Sequence, residues 1–341
     1  MGHPYSRNPD NIRSRHVPAL DNGAIEQHLK QLLCPLIYNQ QAYYRRLGLR
    51  DRILTLPLMV AAIVTLLWRQ VSSVQALTRM LEREDLLRAK AVKVRQQSLS
   101  ERFLTFPSAL FERIFEDLLP LLKSRWRART RPIAPSIKQG LNHFDQIWAV
   151  DGSVLEALFR KLDSLQELAP GALAGKICTV IELSTRSPVK IWFTEDAKAH
   201  DYCFLTDLLN CVRPQTLLVL DRGLYDFDWW QQLVQNRVDF ICAGKSNLAY
   251  RGGEVFSATA QLKDQLIYLG KEIKDTPRQT LRLIEVAKGK GSYRYLTSVL
   301  DPQVLPPYAV VDLYCRRWRI EEAFLVVKRS LGLTKILHHS Q

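Results

Sequence analysis

From Gly23 to about Leu122 the apolar residues recur at helical spacing, with almost no strand-like alternation, so this stretch is predicted to be helical. Leu99 to Leu122 places Leu110, Phe111, Ile114, Phe115, Leu118 and Leu119 on one face, with Ser100, Pro107 and Ser108 at expected helix starts. A small bundle that merely packs accounts for the whole stripe. The longest apolar run, Ile53 to Trp68, lies between Arg52 and Arg69 and is shorter than the roughly 20 residues that span a bilayer. A buried core helix is the expectation there, and no membrane partner is predicted.

After about residue 145 the pattern changes to short β-rich runs separated by turns. Ile147–Val150 begins a strand, and Ile177–Leu183 and Val189–Phe193 form a hairpin across Ser184–Pro188. Ala199–Cys211 reads as helix, Thr216–Leu220 as strand, Phe227–Gln235 as helix and Val238–Cys242 as strand. That order predicts an α/β layer architecture, a mixed sheet flanked by helices. Residues 244–300 alternate in segments such as Gln265–Leu269, Thr280–Val286 and Tyr293–Val299, which predicts a β-rich insertion. After Pro306 and Pro307, Tyr308–Leu331 reads as one long helix.

Composition adds scale and charge. A chain of 341 residues predicts two or three domains, and 47% hydrophobic with 24% charged residues excludes a disordered or low-complexity protein. The formal charge of +14 and the sequence pI near 9.6 point to a polyanionic partner. Lys123, Arg125, Arg127, Arg129, Arg131 and Lys138 accumulate in a stretch without acidic residues, which reads as a basic linker able to touch phosphate or simply to face solvent. The six cysteines form no C-x-x-C pair and His143 and His200 lack ligand spacing, so neither a zinc site nor a disulfide framework is expected and a reducing cytoplasm fits. Residues 1–22 read as a flexible polar arm without the apolar core of an export signal.

Two aspartates follow apolar runs and are each followed by a glycine: Asp151 in Val150-Asp151-Gly152-Ser153 and Asp221 in Leu220-Asp221-Arg222-Gly223. Sites in open α/β sheets collect at the carboxyl ends of strands, although a strand-terminal Asp is also a common turn residue. In the final helix Tyr314, Arg317, Glu321 and Lys328 fall within a sector of roughly 60° at about 100° per residue, so they share one polar edge. Leu313, Ile320, Phe324, Val327 and Leu331 form the adjoining apolar stripe, and Glu322 points elsewhere. A surface helix with Arg317 and Glu321 paired explains the charges but not Tyr314 or Lys328.

The Tyr314, Arg317, Glu321, Lys328 spacing resembles the Y-R-E-K signature of DDE transposases of the insertion-sequence-four family, and the Asp151 and Asp221 segments resemble that family's two aspartate motifs. The resemblance covers about residues 50–335. It implies an RNase H-like catalytic domain over 146–341 with the insertion at 244–300, preceded by the arm at 1–22, an all-helical DNA-binding and dimer-related domain at 23–122, and the basic linker at 123–145. It implies Asp151, Asp221 and Glu321 as catalytic and metal-binding residues, two Mg2+ ions with Mn2+ as a substitute, and Tyr314, Arg317 and Lys328 on DNA phosphate. Trp318 would stack on a displaced base or pack in the core, and Arg222 would touch phosphate or orient a carboxylate. The implied partners are double-stranded DNA, as terminal inverted repeats and target, and a second copy of the chain in a homodimer; the implied location is the cytoplasm, in association with the nucleoid. Relatives usually continue beyond the position of Gln341, so a shortened C-terminus is expected. The readings kept beside a cut-and-paste transposase are an inactive DNA-binding remnant and a nuclease or resolvase that cleaves without joining.

Overall fold

The computed structural model describes residues 22–49, 51–69, 71, 73–128, 132–154, 175–196, 198–270, 279–288 and 291–330. The arm expected at 1–22 therefore lies outside the described residues apart from Asn22. The chain divides into two compact units, Met1–Leu118 and Leu119–Gln341.

In the first unit the helices are α1 (Asn22–Asn39), α2 (Gln41–Arg46), α3 (Leu56–Trp68), α4 (Val74–Arg83), α5 (Gln96–Thr105) and the start of α6 (Ser108–Arg127). The apolar run of the sequence is α3, capped by Thr55, whose hydroxyl accepts from the Leu58 N–H, with Pro57 in its first turn. This helix is apolar on nearly all sides because it is buried twice. Leu58, Met59, Ala61 and Ala62 pack with Leu77, Leu81 and Leu99, while Leu56 and Val60 pack with Leu36, Ile37, Tyr44 and Leu110. Among the described residues no helix is long and apolar enough to cross a membrane. Ser100, expected at a helix start, lies inside α5, because the chain is already helical from Gln96.

The residues read as a basic linker are largely helical: Lys123 to Arg127 end α6, and Lys138 lies in α7 (Pro135–Leu141). Arg129 and Arg131 lie outside the described residues. The second unit then builds β1 (Gln146–Val154), β2 (Lys176–Glu182), β3 (Ser187–Thr194), α8 (Leu205–Cys211), β4 (Thr216–Leu220), α9 (Phe227–Gln235), β5 (Val238–Ala243), β6 (Tyr250–Ala258), β7 (Leu262–Leu269), β8 (Thr280–Lys288), β9 (Gly291–Thr297), α10 (Pro307–Arg316) and α11 (Arg319–Ser330).

One nine-stranded sheet runs in the order β3-β2-β1-β4-β5-β9-β8-β7-β6. β1, β4 and β5 are mutually parallel, and the other pairings are antiparallel. The fold is thus a mixed α/β structure with a large mixed sheet. The insertion does not stand apart: β9 pairs with β5 through Ile241–Thr297 and Ala243–Tyr295, so the insertion strands extend the same sheet.

Alternation sorts the strand residues onto two faces. Trp148, Val150, Leu218 and Leu220 face a core shared with α8 and α9, through Leu205, Leu208, Trp230 and Leu233. Ile147, Ala149, Leu217 and Val219 face a second core with α7, α10 and α11, through Ile137, Val310, Leu313, Ile320 and Phe324. Fully burying each such aliphatic side chain is worth about 1.5–3 kcal/mol before entropy, which holds α10 and α11 against the sheet.

The single C-terminal helix expected over 308–331 is instead two. Arg317 and Trp318 form a turn in which the Arg317 and Trp318 amides donate three residues back, to the carbonyls of Tyr314 (3.1 Å) and Cys315 (3.3 Å). Such tightened bonding interrupts the α-helical ladder. The 100° arithmetic that put Tyr314, Arg317, Glu321 and Lys328 on one edge therefore does not hold across the break.

Candidate functional site

Strand parity decides where the first two carboxylates point. Residues 147, 149 and 151 of β1 alternate onto the α10–α11 face, as do 217 and 219 of β4 with Asp221 next in phase. Asp151 lies within β1 and opposite Thr179 of β2, rather than at the strand end as expected from the sequence, because the pairing continues to Val154. Asp221 follows β4 directly and caps a 3-10 turn, Arg222–Leu224, its Oδ2 accepting from the Gly223 N–H at 3.2 Å. In the same way Asp151 Oδ1 accepts from the Gly152 N–H at 2.9 Å.

Arg317, at the break between α10 and α11, bridges the two. Its Nη1 donates to Asp151 Oδ2 and its Nη2 lies 3.2 Å from Asp221 Oδ1. The guanidinium also lies 5.5 Å from the centre of the Tyr314 ring, which in turn packs 5.3 Å from Tyr295. Asp151 is only 6% exposed. Burial pushes its carboxyl up to about 7; the Arg317 charge opposes this, and the Asp221 and Glu321 charges push further in the same direction. Burial likewise pushes the Tyr314 phenol up to about 12, against Arg317.

Glu321, in the first turn of α11, is exposed, and its charge reaches Asp151. Glu322 is held apart by Arg319, whose Nη1 donates to Glu322 Oε2 at 2.7 Å. Trp318 is 57% exposed, which disposes of core packing for it. Lys328 lies on α11, and its side chain is outside the described residues. Arg222 is exposed and lines, with Asp221, Tyr293, Arg294, Tyr314 and Arg317, a cavity of about 680 Å³ between the end of β4 and the β5–β9 junction. Tyr293 and Arg294 come from the insertion. No sequence signal pointed to them, since only the β5–β9 pairing brings them to Asp221.

A residue overlooked in the sequence is Asp201, which opens the 3-10 turn Asp201–Phe204. It reaches the Asp151 and Asp221 segments from the opposite face of the sheet and forms an ion pair with Lys176, Nζ to Oδ1 2.7 Å.

Divalent cations are the cofactor the resemblance implies. The donor set suits a hard cation in chemistry: two carboxylates share one guanidinium while a third adds negative charge beside them. Among the described residues, however, no group of three or more His, Cys, Asp or Glu is spaced to hold a metal ion. What the structure holds is two carboxylates sharing one arginine.

No curated protein matches the chain. Among solved structures the chain is similar to the catalytic domain of human endonuclease V, at 15% identity and a TM-score of 0.27, over 64% of this chain and 99% of that one. The model of the family described as "Transposase DDE domain" matches residues 143–341, which contain Asp151, Asp221, Arg317 and Glu321. Such domains are DNA phosphoryl-transfer units that generally use divalent metals. With more than half of its length matched by that model, the chain belongs to the family of transposase DDE domains.

Proposed function

We propose that this chain is a cut-and-paste transposase of the insertion-sequence-four type, with Asp151, Asp221 and Glu321 as its catalytic carboxylates. The observation that carries this reading is that one guanidinium, Arg317, holds Asp151 and Asp221 together on the sheet face where the Glu321 charge also acts. Two acids from separate strands have no packing reason to share one buried guanidinium, and a third negative charge acting on the same carboxyl raises the free energy of the folded state.

In the reaction so assigned, a water oxygen attacks the scissile phosphorus and the P–O bond to the 3′ oxygen breaks, leaving a 3′-hydroxyl at the element end. That hydroxyl then attacks a target phosphodiester, joining the strands and releasing a target 3′-hydroxyl. Asp151, Asp221 and Glu321 would hold two Mg2+ ions, with Mn2+ able to substitute. Bound there, the ions would supply nucleophile activation and stabilisation of the leaving oxygen.

Arg317 offers DNA phosphate a planar two-pronged donor, and transfer of the guanidinium to phosphate frees the carboxylate oxygens it now occupies. Tyr314, Lys328 and Arg222 border the same DNA, and exposed Trp318 stacks on a displaced base. The partners in this reading are terminal inverted repeats, target duplex and a second copy of the chain, with residues 23–122 reading the ends. The location in this reading is the cytoplasm, on the nucleoid. The test is a strand-transfer assay with a pre-cleaved inverted-repeat end, supercoiled target and Mg2+. Joined product supports the proposal, cleavage without joining assigns a nuclease, and end binding with neither assigns a DNA-binding remnant.

A further inference from the structure

The two glycines that follow Asp151 and Asp221 are both pressed by one side chain. A Cβ added to Gly152 would lie 2.6 Å from Asp201 Oδ1, and one added to Gly223 would lie closer still to Asp201 Oδ2. Separations under 3.0 Å require something to move. Neither glycine needs a positive φ, so the Asp201 carboxylate, and not backbone conformation, is what a side chain at these positions would have to displace.

Asp201 is itself tied down. Lys176, at the start of β2, pairs with Oδ1 at 2.7 Å and donates to the Ala199 carbonyl at 2.9 Å. The turn is capped by His200, whose Nδ1 faces the Tyr202 N–H at 3.4 Å, and Tyr202 Oη donates to the Tyr225 carbonyl at 2.8 Å, beyond the Asp221 turn. The same two glycines supply the amides that orient the carboxylates, Gly152 to Asp151 and Gly223 to Asp221. An ion-paired carboxylate on one face of the sheet thus fills the space beside the two glycines whose amides bond two carboxylates on the other.

We propose that Asp201 is a positioning residue for the reaction, acting through Gly152 and Gly223 to fix the spacing and orientation of Asp151 and Asp221. This rests on the function proposed above, and its contribution is shape, held by Lys176. Partners that orient the groups of a reactive site are typically worth about 10–100-fold when removed.

The test combines cleavage kinetics on a pre-assembled end duplex with amide spectra of full-length protein labelled at its 15 glycines. Asp201→Ala is expected to lower kcat about 10–100-fold with KM for the duplex held within about twofold. It should also shift the Gly152 and Gly223 amide signals, which are assigned by Gly152→Ala and Gly223→Ala. Asp201→Asn, which keeps the shape, should restore kcat to within about threefold of the parent. Gly223→Ala should lower kcat by a similar measurable factor, and Gly223→Ala combined with Asp201→Ala should do no worse than the poorer single variant, where independent effects would multiply. If Asp201→Ala does not fold, Asp201→Asn and its Gly152 and Gly223 amide signals decide the matter. Parental kcat in Asp201→Ala, unmoved glycine amides, an Asn variant as slow as Ala, or multiplying effects would each overturn the proposal. If the parent does not cleave DNA, the function proposed above fails, and the amide shifts alone decide whether Asp201 sets the two glycines.

Discussion

Two arginine–carboxylate pairs in the second unit are built from the same chemistry and differ in balance. Arg282 and Asp264, on β8 and β7, are 0% and 1% exposed, and the guanidinium meets the carboxylate with two parallel hydrogen bonds of 2.7 and 2.6 Å. A third bond, 2.7 Å to the Leu305 carbonyl, ties the insertion to the segment that leads into α10. One cation meets one anion, and the guanidinium is spent on structure. Arg317 instead serves two carboxylates with a third nearby, and its Nε has no partner although buried. A matched pair anchors, whereas an under-compensated one keeps negative charge available at a surface cavity. The contrast teaches that surplus charge, more than burial, separates the proposed site from a strut here.

The contrast can be broken most directly at the carboxylates. Asp151→Asn, Asp221→Asn and Glu321→Gln are each expected to lower strand cleavage by at least about a thousandfold, roughly 4 kcal/mol of transition-state stabilisation, with end-DNA binding retained in a filter or gel-shift assay. Asp264→Asn should leave the rate per folded molecule within about threefold. A surplus-charge variant that still cleaves near the parental rate removes that residue from the site.

Stability should show the reverse ranking. Arg282→Ala leaves Asp264 buried without a counter-charge and is expected to cost about 3–5 kcal/mol in urea unfolding. Arg317→Ala should cost less than about 2 kcal/mol, because Asp151 can take up a proton and Asp221 is in part open to water. Equal losses would erase the distinction. The DNA side sharpens it further: Arg317→Ala should flatten the slope of log affinity against log salt by about 1, and Arg282→Lys should leave that slope unchanged.

The smallest effect concerns a buried carboxylate held by neutral donors. Glu182 Oε2 accepts from Trp148 Nε1 at 3.1 Å, and Oε1 from Ser184 Oγ at 3.0 Å. Burial holds its carboxyl above the ordinary value. A raised carboxylate binds its proton more tightly folded than unfolded, so its contribution to stability is complete below about pH 4.3 and is lost as pH climbs through the raised folded value. Glu182→Gln should flatten that part of the stability–pH curve, and an unchanged curve would mean that the folded and unfolded carboxyls titrate alike.

Much of the α/β half was legible because its strands are short, apolar and bounded by turns. Thr216–Leu220 and Phe227–Gln235 coincide with β4 and α9. The misread C-terminal helix shows where periodicity fails, since a two-residue break leaves the apolar stripe through Leu313, Ile320 and Phe324 intact and so leaves no trace in the pattern. Asp201 was illegible for a different reason. Its partners are glycines, and what they contribute is the absence of a side chain.

By itself the sequence determined the identity and order of the acidic motifs, the apolar runs that become β1, β4 and α3, and the basic excess, because these follow from local periodicity and composition. Only tertiary structure decided that Arg317 lies on Asp151 and Asp221, that the insertion strands join the main sheet at β5, and that Asp201 reaches two glycines from the opposite face. Those arrangements depend on pairings between residues far apart in the chain, and local pattern carries no record of which distant surfaces will meet.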